Sequence, residues 1–386
     1  MDNHSTTRVD PRVLESMLPY FELHYGNASS VNHDFGRTAA DAVAHARQQV
    51  ADLLQASERE LVFTSGATES NNLSIKGLLR RSPAGSHVIT NTAEHRAVLD
   101  PIRKMQRAGF QVTILPVDAQ GFLDPQRVQD ALQPNTVLVS VMWANNEIGT
   151  VNDLAAIGSI CRQSGVVLHC DAVQAAGRIP IDLSQTEVDL LSISGHKFYG
   201  PKGIGVLYRR RNGPVALPID PLFDGGGHEN RLRSGTLPVP LVVGLGHAAE
   251  LAATEGIHEQ ERLANIRNHL WCQLDTELEQ ILLNGPDWTS QQTPHRLAGN
   301  LNVSFSGVDG DALMTGLSNI AVSSGSACTS ADPHPSHVLT AIGRSDTLTR
   351  ASLRFGIGRF NTPQDTDVVA QTVIERVRQL RQANNK

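Results

Sequence analysis

The sequence is poor in lysine. Of its 33 basic residues only Lys76, Lys104, Lys197, Lys202 and Lys386 are lysines. Basic residues are scattered and the net charge is −6, which argues against nucleic acid as a stably held partner, though not against a brief encounter by a modification enzyme. No apolar run approaches the length of a membrane span, and the opening stretch "MDNHSTTRVD" has no apolar signal core. Cysteine is scarce too. Cys161, Cys170, Cys272 and Cys328 form no CxxC pair and no zinc spacing, so no metal site is expected. These absences lead to an expectation of a cytoplasmic protein in a reducing compartment, with no membrane partner.

What is present is a globular composition, 40% hydrophobic and 19% charged over 386 residues, enough for two domains and a sizeable core. The first two-thirds alternates β-branched runs with helical patterns. "ELVFTSG", "SHVITNT", "FQVTILPVD", "TVLVSVMW", "GVVLHCD" and "VDLLSIS" read as strands. Such alternation implies a mostly parallel sheet covered by helices, with ligands bound beyond the carboxyl ends of the strands. Those ends carry polar residues: Thr64-Ser65-Gly66, Glu94-His95, Asn145-Asn146-Glu147, Asp171 and Gln174, and Ser194-His196-Lys197. Near residue 250 a long helix or helix pair leaves this unit. The expected division is a large α/β domain over 15–250, with 1–14 and 251–386 forming a smaller α+β domain.

Lys197 follows "SISGH" at a strand end and precedes the Gly-rich "FYGPKGIG". A lysine in a partly desolvated pocket loses its proton readily and can form a Schiff base. Asp171 closes the strand of "VVLHCDAVQ"; a carboxylate there can pair with a pyridinium nitrogen, and Gln174 can reach a ring oxygen. "TSGATESNN" turns into a helix N-terminus that suits a phosphate, and His95 can lie over a planar ring. Each residue alone has a structural reading as well. Lys197 then sits on a hairpin surface, Asp171 and His95 cap helices, and the turn is only a turn. Together they occur in an order that makes a pyridoxal phosphate site.

One cysteine differs from the rest. Cys161 and Cys272 lie in helical patterns and Cys170 ends a strand, so core packing is their expected role. Cys328 lies in "AVSSGSACTS", among small residues and before the prolines of "ADPHPS". It reads as a thiol displayed on a mobile loop.

"FTSGATESNN", "TAEHRAVL", "NNEIGT", "HCDAVQAAGRIPID", "SGHKFYGPKGIG", "RSGTLPVP" and "SSGSACTS" together resemble the cysteine desulfurases, in the bacterial branch with a long active-site loop. The likeness covers nearly the whole chain. It implies an aspartate-aminotransferase-like fold with a mostly parallel seven-stranded sheet plus the smaller α+β domain, and pyridoxal 5'-phosphate as cofactor. It further implies that Lys197 holds the cofactor as a Schiff base. Ala67, Thr68, Ser194 and His196 would bind its phosphate, with Thr236 reaching the phosphate of the partner subunit in a homodimer. Asp171 would face the pyridine nitrogen and Gln174 the phenolic oxygen, while His95 would stack on the ring and assist proton transfer. Asn146 and Arg354 would hold the carboxylate of L-cysteine, Arg354 through its two-point fork; alone, Arg354 reads also as a structural ion pair. Cys328 would capture sulfur as a persulfide and pass it to a protein acceptor in iron–sulfur assembly, RNA thiolation or DNA phosphorothioation.

The resemblance weakens at the N-terminus, where the family's first strand is nearly absent and the pairing of residues 1–7 stays open. Gly356 stands where relatives often carry Ser, a change that reads as minor. Two rivals remain. An aminotransferase or selenocysteine lyase would not need the Cys328 thiol, and a non-catalytic interaction protein would not need Lys197, Asp171 and Cys328 together.

Overall fold

The apolar runs of the first two-thirds fold into one sheet. A computed structural model of the chain describes residues 1–211, 218–288, 295–324 and 335–384. The strands of the larger sheet are β1 (Leu61–Thr64), β2 (His87–Asn91), β3 (Gln111–Leu115), β4 (Thr136–Met142), β5 (Val167–Asp171), β6 (Leu190–Ser194) and β7 (Gly205–Arg209). Their order is β1-β7-β6-β5-β4-β2-β3. All pairs are parallel except those of β7, which runs against both β1 and β6. The seventh strand grows out of the Gly-rich stretch after Lys197. Ser194 pairs with Gly205, so residues 195–204 form the short connection that carries the lysine.

Strands buried on both faces read as continuous apolar runs because each face has its own helical layer. Val139, Val141, Leu168, Leu191 and Ile193 point into one core with the helix Asp34–Leu54 and the start of the helix Val239–Glu277. The alternate residues Leu138, Val167 and Leu190 point the other way, against Val98, Ile102 and Met105 of the helix Arg96–Arg107.

A second sheet holds β8 (Ile281–Leu283), β9 (Asn300–Phe305), β10 (Ser323–Ser324) and β11 (Ser352–Gly356), antiparallel in the order β10-β11-β9-β8. Its core takes Leu263, Ile266, Leu270 and Leu274 together with Val369, Val373 and Val377 of the helix Pro363–Asn384. Val239–Glu277 is one continuous helix of 39 residues. Its early apolar residues, up to Ala252, serve the first core, and those from Leu263 onward serve the second.

The N-terminal segment joins β11. Asp2 bridges Gly356 in parallel, Gly356 N–H donates to Met1 O at 2.9 Å, and Asn3 N–H donates to Gly356 O at 3.0 Å. A Cβ at position 356 would lie 2.6 Å from His4 N and 2.8 Å from Asn3 N. Gly356 is therefore not a minor variation here: the segment lies where a side chain would be.

Candidate active site

The parallel strands end on one side of the sheet, beside a cavity of about 740 Å³. Ser65, Gly66, Ala67 and Thr68 follow β1 into it, and His95 follows β2. Asn146 enters after β4, Asp171 and Gln174 from β5, and Ser194, His196 and Lys197 from β6. Arg354 of β11 and residues His4 to Thr6 close the remaining wall. The structure thus brings together every described candidate residue except Thr236, which is exposed and lies outside this cavity. Arg233, three residues before it, pairs with Glu69 at 3.1 Å and holds the "RSGT" stretch against the turn after β1. Cys328 lies outside the described residues.

Gly66 takes φ +146°, a left-handed value that a side chain would strain. This turn swings the chain from β1 into the helix starting at Ala67, whose first residues line the cavity and whose first backbone N–H groups have no partner within the helix. Asp171 is 5% exposed. Asn71 Nδ2 donates to its Oδ2 at 2.8 Å and Val173 N–H to its Oδ1 at 3.1 Å, so the carboxylate is held at both oxygens. Asn71 stands inside a quoted motif, but no one-residue signal in the sequence marked it.

Lys197 Nζ donates to His4 O at 2.9 Å and Ser5 O at 2.5 Å. Gln174 Nε2 donates to His4 O at 2.9 Å, and its Oε1 meets Arg178 Nη1 and His4 Nδ1. His196 Nδ1 lies 3.1 Å from Thr6 Oγ1. Burial, then the charges of Lys197, Lys202 and Arg178, push its pKa down to about 4. A dianion in the cavity would oppose those charges. Sequence reasoning missed this N-terminal segment, since His4 and Ser5 belong to no pattern and hold Lys197 through main-chain oxygens.

His95 caps the helix Arg96–Arg107, its Nδ1 accepting from Ala97 N–H at 3.0 Å. The neutral ring therefore carries its proton on Nε2, and a second proton on Nδ1 would break the cap. Burial first, then Lys197, lowers its pKa against the opposing pull of Asp171. Glu94, fully buried beside it, accepts from Asn91 Nδ2 at 2.5 Å and Met142 N–H at 2.7 Å. Burial, reinforced by the charge of Asp171, raises its pKa from 4.5 to about 8, so its proton is largely retained at neutral pH.

Arg354, 5% exposed, donates from Nη2 to Asp2 Oδ1 at 2.9 Å and Ser323 Oγ at 2.8 Å, and from Nη1 to Asn146 O at 3.1 Å. Both flanks of the stretch that contains Cys328 reach this neighbourhood. Ser323 is one. On the other, Ser336 Oγ donates to Glu147 Oε2 at 2.5 Å and His337 Nε2 lies 2.8 Å from Glu94 O.

Two of the remaining thiols are buried as expected. Burial and the charge of Asp189 push Cys161 up to about 12. Cys170 is raised by burial and by the carboxylates of Asp171 and Glu94. Cys272 is a correction: its side chain is exposed, because its position on Val239–Glu277 faces away from the second core.

The family model for aminotransferase class-V matches residues 1–369. A curated relative named cysteine desulfurase IscS, from Anaeromyxobacter dehalogenans (strain 2CP-C), is 52% identical over 383 residues, spanning 99% of this chain and 93% of the relative. A solved structure described as a NifS-like protein matches with TM-score 0.89 at 35% identity, covering 98% of this chain and 99% of its own. Another, described as SspA in complex with cysteine, matches with TM-score 0.80 at 37% identity, covering 94% and 99%. The chain belongs to the aminotransferase class-V family. It is a pyridoxal-phosphate-dependent enzyme.

The donor set fits that cofactor. Lys197 offers an amine, Asp171 a doubly held carboxylate for a ring nitrogen, and the helix start at Ala67, with Ser194 opposite Gly66, offers donors for a phosphate. Asn71 Oδ1, buried without a partner among the described residues, adds an acceptor beside Asp171.

Proposed function

We infer that the chain is a cysteine desulfurase, which takes sulfur from L-cysteine, releases alanine and carries the sulfur as a persulfide on Cys328 to a protein acceptor. The observation that carries this reading is the meeting of the Lys197 amine, the buried Asp171 carboxylate, a neutral His95 and the buried Arg354 guanidinium in one cavity. The relative at 52% identity bears the same name.

Bound pyridoxal phosphate supplies a carbonyl for the substrate amine and a ring that accepts the electrons released at the substrate α-carbon. Lys197 would hold the group through its amine. Asp171, oriented by Asn71 and Val173, would serve its pyridine nitrogen and Gln174 its phenolic oxygen. Ala67, Thr68, Ser194 and His196 would bind its phosphate, and His95 would line the ring's side of the cavity. Arg354 and Asn146 hold the substrate carboxylate. The Cys328 thiolate attacks the substrate sulfur: an S–S bond forms as the carbon–sulfur bond breaks, its electron pair stays on carbon, and a proton completes the methyl group of alanine. Cys328 stands four residues past Ser324, a tether of at most about 14 Å. The bonds of Ser323, Ser336 and His337 to the cavity walls support its arrival there.

The active unit in this reading is a homodimer in which Thr236 completes the partner's phosphate site. Its support is the exposure of Thr236 and a run of exposed apolar side chains, Leu14, Leu18, Phe21, Leu23, Tyr25, Val31 and Phe35, each 48–69% exposed. A cytoplasmic location belongs to the same reading, supported by unpaired thiols at Cys161, Cys170 and Cys272.

One experiment tests the reading. Wild type and the four Cys→Ser variants receive L-cysteine, and alanine, sulfide and intact mass are followed, with light scattering on the active sample. Cys328→Ser should keep the cofactor yet form no persulfide and little alanine, because a serine hydroxyl is a weak nucleophile at neutral pH. The other three variants should stay active and the active species should have dimer mass. Near-normal alanine from Cys328→Ser would move a selenocysteine-lyase-like reaction ahead, and an active monomer would remove the composite site.

A further inference from the structure

Arg354 is already paired with a carboxylate of its own chain. The guanidinium is almost fully buried, and Asp2 sits 2.9 Å from its Nη2 with a side chain that is 25% exposed. A buried charge left alone is costly, so a partner is needed whenever no ligand is present. Ser323 Oγ joins the pair, donating to Asp2 Oδ1 at 2.9 Å while accepting from the same Nη2 at 2.8 Å.

This geometry bears on the substrate. A guanidinium offers a carboxylate two forked faces, Nη1 with Nη2 or Nε with Nη2, and both include Nη2. An incoming carboxylate that uses either fork brings an oxygen to Nη2, beside the oxygen of Asp2. Two carboxylates so placed repel in a poorly solvated site. Arg354 Nε is buried and has no partner among the described residues, so the Nε–Nη2 fork gains a bond that the resting pair lacks. The Asp2 main chain is fastened to Gly356 on both sides, whereas its side chain reaches solvent and can turn away.

We propose that Asp2 is an internal counter-ion that occupies Arg354 in the resting enzyme and that the substrate carboxylate displaces. Asp2 is then a specificity-setting residue. It compensates and aims the Arg354 guanidinium in the absence of ligand, and it subtracts from the affinity for carboxylates. The proposal rests on the reading of Arg354 as the substrate-carboxylate site.

The test uses the holoenzyme and 3-mercaptopropionate, which carries a carboxylate and a thiol but no amine, against its uncharged amide. Calorimetric Kd values are measured for wild type, Asp2→Asn, Asp2→Glu and Arg354→Gln, with melting temperature as a fold check. Removing a competing charge should tighten 3-mercaptopropionate by about three- to tenfold in Asp2→Asn. The amide should be unaffected and Asp2→Glu should keep the wild-type value. In steady-state assays the KM for L-cysteine should fall in Asp2→Asn without a rise in kcat. Unchanged or weaker 3-mercaptopropionate binding in Asp2→Asn overturns the displacement. If binding is equally strong in a folded Arg354→Gln variant, the carboxylate reading of Arg354 fails and takes this inference with it. If binding needs Arg354 but ignores Asp2, only the present inference fails.

Discussion

The two walls of the cavity are built differently. On the strand side, groups stand at the ends of β1, β2, β4, β5 and β6, and the segments that follow these strands hold them: Asn71 and Val173 donate to Asp171, and Ala97 to His95. On the other side, Asp2, His4 and Ser5 come from the start of the chain, while Arg354 and Ser323 come from the second sheet. Several of these contacts join segments far apart in the sequence and engage groups that the proposed function assigns to a ligand: the Lys197 amine, the Gln174 amide and the Arg354 guanidinium. The strand wall is a fixed template. Under the proposed function, the bonds that the N-terminal wall makes to these groups would be exchanged when a ligand arrives, a division expected where a rigid scaffold carries adaptable binding segments.

The largest effect should come from the group that the two walls share. Lys197→Ala should cut turnover by at least on the order of 10³ while leaving weak, non-covalent cofactor binding through the turn after β1 and Asp171. Borohydride reduction of wild type followed by peptide mapping should place the label on Lys197. A label on Lys202, which also lines the cavity, would reassign the site.

A strand-side support should cost less. Asn71→Ala removes one donor from a buried carboxylate, and kcat/KM should fall about ten- to a hundredfold, with the cofactor absorption band shifted because the ring nitrogen meets a differently held partner. A variant with wild-type kinetics and spectrum would mean that the Val173 N–H alone suffices.

The third effect should be on stability and should depend on pH. Glu94 binds its proton more tightly folded than unfolded, with a pKa near 8 instead of 4.5. Between those values the folded protein holds the extra proton, so the stability associated with Glu94 is full below pH 4.5 and declines as pH rises through 8. Glu94→Gln keeps the shape without the charge. Its melting temperature relative to wild type should rise steadily from about pH 5 to pH 8; a constant offset would show that Glu94 stays ionised in the folded protein.

Much of the strand wall is legible in the sequence. A parallel strand buried on both faces must be an apolar run, its end must carry the polar residues, and a Gly turn into a helix must follow β1. Period and residue type suffice for Lys197, Asp171, His95 and the turn at Gly66, because each stands within a few residues of the element that aims it. Cys161 and Cys170 follow from the same patterns. Cys272 does not: a helical pattern fixes a face only when its partner is known, and on a 39-residue helix that serves two cores the faces change partners along its length. The resemblance implies seven strands, but local pattern marks six: β7 is a five-residue run directly after the Gly-rich "FYGPKGI", and its reversal depends on its partners β1 and β6.

Sequence alone therefore determined the type of sheet, the chemistry of the strand ends and the family resemblance, since these follow from local patterns of burial and backbone geometry. Only the tertiary structure decided that Asp2 meets Arg354 across a separation of 352 residues, that the carbonyls of His4 and Ser5 hold Lys197, and that Gly356 must lack a side chain. Those facts arise from where the chain's start lands on the edge of the second sheet. Ion pairs and main-chain bonds between remote segments leave no period or motif in a sequence; they exist once folding has brought the segments within a few ångströms and removed the water between them.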